Sequence, residues 1–279
     1  MTLRLRQICL VTDALEKAVD QIDHVFGLQP CHRDEAVAKY GLANALFVCG
    51  HQFLEIVAPI SGQADDSTAA GRYLQRSGGR GGYMAIFDTH DPERRMAHVQ
   101  ALGVRIAHQL DRAGEYWGIQ LHPRDSRAAM LEFDRTTGNE QLDGPYWPAG
   151  PHWQEGQRLD RVTGIPAVTL ESPQAADLAA HWASLIEHPL QQEHGTATLQ
   201  FELGSVRFVP NAWNVAAISL APLGLAGVTA LCVALAVRVR GWGWRAGVAY
   251  LAACALSSSW PSGVDWGHAL GAPLSWPLA

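Results

Sequence analysis

Lysine is nearly missing from this 279-residue chain: only Lys17 and Lys39 occur, and arginine supplies the rest of its 21 basic residues against 27 acidic ones. A formal charge of −6 and the lack of any Lys/Arg run exclude the basic face of a general nucleic-acid binder. Disulfide and zinc frameworks are missing too. The five cysteines (Cys9, Cys31, Cys49, Cys232 and Cys254) are odd in number and form no CxxC pair. The opening "MTLRLRQICLVTD" lacks the long apolar stretch and small-residue cleavage site of a signal peptide. A reduced, cytoplasmic protein is therefore expected. What is present is 48% hydrophobic and 17% charged residues, the balance of a folding chain, at a length that favours two domains.

The order of elements repeats. "RLRQICLVT" reads as a strand, Asp13 as a helix cap with Glu16 three residues on, and Leu15, Ala18, Val19, Ile22 and Phe26 as one buried helical stripe stopped by Gly27. "AVAKYGLANALFVCG" and "HQFLEIVAP" follow as strands around a glycine turn. After a Gly/Ser/Asp-rich connector, "YMAIFDT" is again a strand. Asp91 is the N-cap, Pro92 the first helical residue, and Met96, Val99 and Leu102 the buried stripe. "VRIAHQL", "EYWGIQLHP" and "AAMLEFD" complete that unit. A third unit runs from "GIPAVTLES" through a helix with stripe Leu178, Trp182, Leu185 and Ile186 to "TATLQFELGSVRFVP", which echoes "NALFVCGHQFLEIVAP".

The tail changes character. From Asn211 onward there is no Lys or Glu, and the only charged residues are Arg238, Arg240, Arg245 and Asp265. Three readings stay open for it: a membrane segment, since "VAAISLAPLGLAGVTALCVALAV" is long enough to span; a degenerate fourth unit; or a stretch in an altered reading frame. The last two together are preferred to a membrane span. The expected organisation is a paired domain over 1–145, a third, degenerate βαβββ module over 158–211 and an atypical tail over 212–279.

The βαβββ–βαβββ order, with "DDSTAAGRYLQRSGGRGGYMA" and "IQLHPRDSRAAMLEFD", resembles the vicinal-oxygen-chelate superfamily of glyoxalases, bleomycin-resistance proteins and dioxygenases. Within it, Ile60 to Phe133 is most similar to methylmalonyl-CoA epimerase. The resemblance implies an α+β fold of tandem βαβββ modules, with curved mixed sheets closing into a cup and a degenerate second half. It also implies one divalent metal held by the first and last strands of both modules.

Carried over residue by residue, the metal positions are Gln7, Glu55, Tyr83 and Glu132, with both of the family's usual histidines replaced. An oxygen-only set suits Mg²⁺, Mn²⁺ or Ca²⁺ better than Zn²⁺ or Fe²⁺. Without a metal, Glu55 and Glu132 become an acid/base pair, each raising the other's pKa. His122, Arg124 and Trp117 are the substrate-binding candidates. Glu187 reads as a helix-surface residue, a control for Glu132. In the third unit Arg207 stands where Glu55 would be, so no ligand set is expected there.

The expected function is glyoxalase-like binding of a small molecule with vicinal oxygens, as a metal-assisted isomerase or epimerase, lyase or dioxygenase. The alternative is a metal-free sequestering protein of the bleomycin-resistance type. No nucleic-acid partner is expected, and a shortened fourth unit would leave a sheet edge open to a second copy in a homodimer.

Overall fold

A computed structural model of the chain describes residues 3–62, 65–77, 81–193, 196–210 and 217–220. The first unit contains β1 (Leu3–Val11), α1 (Leu15–Phe26), β2 (Leu42–Cys49) and β3 (Gln52–Pro59), followed by the connector helix α2 (Ala69–Ser77). The second contains β4 (Gly82–Thr89), α3 (Pro92–Ala101), β5 (Ile106–Arg112), β6 (Tyr116–Leu121), the short α4 (Pro123–Ser126) and β7 (Met130–Thr136). These seven strands make one sheet in the order β2-β3-β1-β4-β7-β6-β5. The units meet along β1 and β4, which run antiparallel, whereas β3 joins β1 and β7 joins β4 in parallel.

The third unit is β8 (Val168–Ser172), α5 (Ala175–Ile186), β9 (Leu190–Glu193), β10 (Thr196–Gln200) and β11 (Ser205–Pro210). A further strand, β12 (Ala217–Leu220), pairs antiparallel with β8 as β4 does with β1. That is the place of a fourth unit's first strand. The rest of the tail, with its three readings, lies outside the described residues.

Periodicity fixes the helices. The α1 stripe is buried at the five expected positions, and Gly27 ends the helix in the left-handed conformation with φ 67°. Asp91 caps α3 by accepting from Arg94 N at 3.1 Å. Three details differ from expectation. Ala14, not Asp13, takes the cap position of α1, and Thr12 Oγ1 accepts the Ala14 N–H instead. "AVAKY", expected as the start of a strand, forms a 3₁₀ turn (Glu35–Tyr40) capped by Asp34, and the strand begins at Leu42. In α3, Arg95 is buried while Leu102 is exposed: the guanidinium packs over the Phe133 ring and donates to Ile186 O at 2.6 Å.

One apolar core runs through both sheets. Ile8, Leu10, Leu54, Ile56, Phe87 and Phe133 face the helices and meet Trp182, Leu178 and Phe208 of the third unit. Trp182 lies at 6.5 Å from Phe87 and donates its indole N–H to Ser126 O at 2.8 Å. Burying a ring of this size contributes on the order of 3 kcal/mol. Helices α1, α3 and α5 therefore take one side of the first sheet, and the part of the opposite face between α2 and the Tyr146–Trp153 segment is left to form the site. Among the described residues, no helix is long and apolar enough to cross a membrane.

Candidate active site

Strand alternation sends Gln7 and Cys9 of β1, Glu55 of β3, Met84 and Ile86 of β4 and Glu132 of β7 to the face away from the helices. Glu55 and Glu132 are three strand spacings apart, about 14 Å along a flat sheet. The curl of the sheet brings both to one cavity of about 150 Å³, which Gln7, Asn44, Met84, Ile86, Tyr116 and Gln120 also line. The 3₁₀ turn, β5 and the Trp147–Pro148 segment form its mouth.

Both carboxylates are held by neutral donors. Asn44 Nδ2 donates to Glu55 Oε1 at 2.7 Å and Gln7 Nε2 to Glu55 Oε2 at 2.9 Å. Tyr116 OH donates to Glu132 Oε1 at 3.0 Å and Gln120 Nε2 to Glu132 Oε2 at 2.8 Å. Burial pushes the Glu132 carboxyl up to about 7; the bonds from Gln120 and Tyr116 oppose that rise, and the charge of Glu55 adds to it. Burial raises Glu55 as well, against the pull of Asn44, Cys9 and Gln7. Glu132 is thus poised to exchange a proton near neutrality.

Gly118 makes room for this arrangement. A Cβ there would stand 2.7 Å from the Tyr116 hydroxyl, so any larger residue displaces the ring that holds Glu132. Tyr116 is fixed from the other side by Trp147, stacked at 4.7 Å between ring centroids.

Of the residues singled out in the sequence, Gln7, Glu55 and Glu132 line the cavity and Tyr83 does not. Ile86 is the β4 partner of Glu132, so alternation along β4 turns Met84 rather than Tyr83 to the cavity. Tyr83 is buried in an apolar patch, edge-on to Tyr73 at 5.1 Å. Trp117 points to the helix side, where it packs on the core, because its parity is opposite to that of Tyr116. His122 caps α4, its Nδ1 accepting from Arg124 N at 3.2 Å, and neither His122 nor Arg124 lines the cavity. Asn44, Tyr116 and Gln120 were missed. The signal for the last two was present: Tyr116, Gly118 and Gln120 alternate on one face, and Gln120 pairs with Glu132.

The residues do not fit the divalent metal that the resemblance implies. Each oxygen of Glu55 and Glu132 already takes an N–H or O–H. Strand β4 offers Met84 and Ile86, a thioether and an aliphatic group where a hard ion needs oxygen and a softer one imidazole. Among the described residues no three of His, Cys, Asp and Glu form a group that could hold an ion.

A family model described as a glyoxalase-like domain matches residues 8–186. No curated protein sequence matches the chain. Among solved structures, a hypothetical protein from Staphylococcus aureus is 16% identical with a TM-score of 0.57, covering 79% of this chain and 92% of its own. That likeness is one of fold. A Streptomyces coelicolor methylmalonyl-CoA epimerase in complex with 2-nitronate-propionyl-CoA is 19% identical with a TM-score of 0.42, covering 49% of this chain and 99% of its own. The Mycobacterium tuberculosis methylmalonyl-CoA epimerase is 16% identical with a TM-score of 0.42, covering 49% and 89%.

Proposed function

This chain belongs to the glyoxalase-like domain family, within the vicinal-oxygen-chelate superfamily, and from that premise we propose that its cavity moves a proton on a small molecule carrying two neighbouring oxygens. Glu132 as carboxylate removes a proton from the carbon next to a carbonyl. The bonding pair passes to the carbonyl oxygen as an enolate, and the protonated Glu132 returns the proton to the neighbouring carbon of the enediol to complete an isomerisation. No metal step is invoked. Each of Gln7, Asn44 and Gln120 has a second amide N–H beyond the one given to a carboxylate, and those donors suit a developing enolate oxygen. Glu55, tied to Gln7 and Asn44, fixes the orientation of both amides.

The observation carrying this reading is a carboxyl brought to about 7 by burial while lining a cavity. The experiment is C–H to C–D exchange in D₂O, followed by NMR over a panel of 2-oxo and 2-hydroxy acids, their amides and esters. Exchange should rise with pH to a plateau above about 7 and be lost in Glu132→Gln. Exchange in Glu132→Gln at the wild-type rate sinks the proposal. A second reading, metal-free sequestration of a ligand, is favoured by the Tyr116–Trp147 aromatic wall; saturable binding with no exchange in the wild type would select it.

A further inference from the structure

The cavity is polarised from floor to mouth. Its floor holds Glu55 and Glu132, while its mouth holds Lys39 on the 3₁₀ turn and Arg112 at the end of β5. We propose that Lys39 and Arg112 form an anion subsite, gripping a carboxylate or phosphate of the ligand while its reacting end sits between Glu55 and Glu132. This rests on the proton-transfer reading of the same cavity.

Three observations support it. The chain has only two lysines and a net charge of −6, and one of those lysines stands at this mouth. Among the described residues neither Lys39 nor Arg112 enters an ion pair. Each cation instead lies over an aromatic ring: Lys39 Nζ is 4.8 Å from the centre of Tyr40 and the Arg112 guanidinium 4.7 Å from that of Trp147. Such a seat fixes the cation without neutralising it. Tyr40 is itself tied across the mouth, its hydroxyl 3.0 Å from His108 Nε2 of β5. Asp34 is the one acidic residue among the mouth residues, and its Oδ1 is occupied by the Ala36 N–H.

The floor sets where the ligand's charge goes. An anionic group placed between two buried carboxylates meets like charge in a poorly solvated place, whereas at the mouth it meets two cations. A cavity of about 150 Å³ admits a group of roughly benzene size, so the anion is left outside by size as well.

The test uses the full chain and calorimetric titration with probes that carry a hydroxyketone at one end and the varied group at the other: 5-hydroxy-4-oxopentanoate, its neutral amide, and dihydroxyacetone phosphate. The acid should bind more tightly than the amide, and the double variant K39Q/R112Q should weaken the anions by roughly tenfold or more with the amide unchanged. Comparing 5-hydroxy-4-oxopentanoate with dihydroxyacetone phosphate tells whether a carboxylate or a phosphate is preferred. Lys17→Gln, on the exposed side of α1, should change nothing. Three results each overturn the subsite: acid and amide binding equally, neither anion binding, or an equal loss in Lys17→Gln. Exchange of the amide by K39Q/R112Q keeps the two ideas apart. Persistent exchange with no anion preference removes the subsite alone, and anion preference with exchange unaffected by Glu132→Gln removes the proton-transfer reading alone.

Discussion

Two sets of carboxylates sit on the same face of the first sheet: Glu55 and Glu132 line the cavity, whereas Asp88 and Asp134 are enclosed by the described residues around them. Glu132 lies two residues before Asp134 on β7, and Asp134 is directly paired with Asp88 of β4. Burial raises all of these groups: Glu132 to about 7, Asp88 above its ordinary range and Asp134 well above it. Their surroundings differ. Asp88 and Asp134 are fully enclosed; Asn139 Nδ2 donates to Asp88 at 2.7 Å, Tyr146 OH donates to Asp134 at 3.0 Å, and Arg4 sits 3.5 Å from Asp88. Arg6 is buried beside them under Phe53, Tyr146 and Trp153. A displaced pKa therefore does not by itself mark chemistry in this fold; access from a cavity does.

The largest expected difference between the two sets is kinetic. Glu132→Gln should lower proton exchange by about a hundredfold or more, while Asp134→Asn, which replaces an enclosed group held by Tyr146, should change it by less than about threefold. A comparable loss in both would erase the distinction between the sets. Glu132 also leaves a mark on stability. Its folded pKa of about 7 exceeds the ordinary 4.5, so its stabilising contribution is complete below about pH 4.5, falls as pH rises towards 7 and is constant above. Urea midpoints measured across that window should show the slope in the wild type and a reduced slope in Glu132→Gln.

Next in size is a purely structural effect on the enclosed set. Arg4 bonds to Glu202 at 2.8 Å, to Asn139 O at 3.0 Å and to Glu140 O at 2.9 Å, joining β1 to the loop after β7 and to the β10–β11 turn. Arg4→Met removes the cation in contact with Asp88, leaving Arg6 as its neighbouring charge, and should cost about 3 kcal/mol in urea unfolding. Proton exchange by the remaining folded protein should stay near wild type; a selective loss of exchange at full stability contradicts the assignment of this set to structure.

A smaller effect sharpens the open set. Gly118→Ala displaces the Tyr116 hydroxyl from its place beside Glu132. Because that bond lowers the Glu132 pKa, its loss should move the exchange profile to higher pH, with roughly a tenfold drop in rate at neutrality. A shift to lower pH would show that Tyr116 acts on Glu132 in some other way.

The fold was largely legible in the sequence because it is written in periodicity. The stripes of α1 and α5 and the capping of α3 by Asp91 follow from local rules that tertiary packing leaves alone. Gln7, Glu55 and Glu132, carried over from the family resemblance, line one cavity because each falls on the same side of its strand. The site was not legible where two strands must be placed against each other. Pairing with β7 decides which side of β4 and β6 faces the cavity: Ile86 opposite Glu132 puts Met84 there and not Tyr83, and Gln120 opposite Glu132 puts Tyr116 there and not Trp117. Asn44 reaches Glu55 only because β2 pairs with β3 in a register that no local pattern announces. Arg95 filled a stripe position by seating its guanidinium on Phe133, a contact visible only once α3 and β7 are packed.

Glu187 was expected on a helix surface, and the smallest of these effects belongs to it. It ends α5 in the left-handed conformation with φ 51°, clasped by Arg94 Nη2 at 2.9 Å and Arg95 Nη1 at 3.2 Å. Strain of this kind in a non-glycine residue persists only where its surroundings impose it. The clasp links α3 of the second unit to α5 of the third, far from the cavity lining. Glu187→Gln keeps the shape but removes the charge, leaving Arg95 buried without a counter-ion, and should cost about 1 kcal/mol with exchange unchanged. A fall in exchange rate at unchanged stability would mean that the third unit sets the geometry of the cavity, and the open carboxylates could then no longer be understood from the first sheet alone.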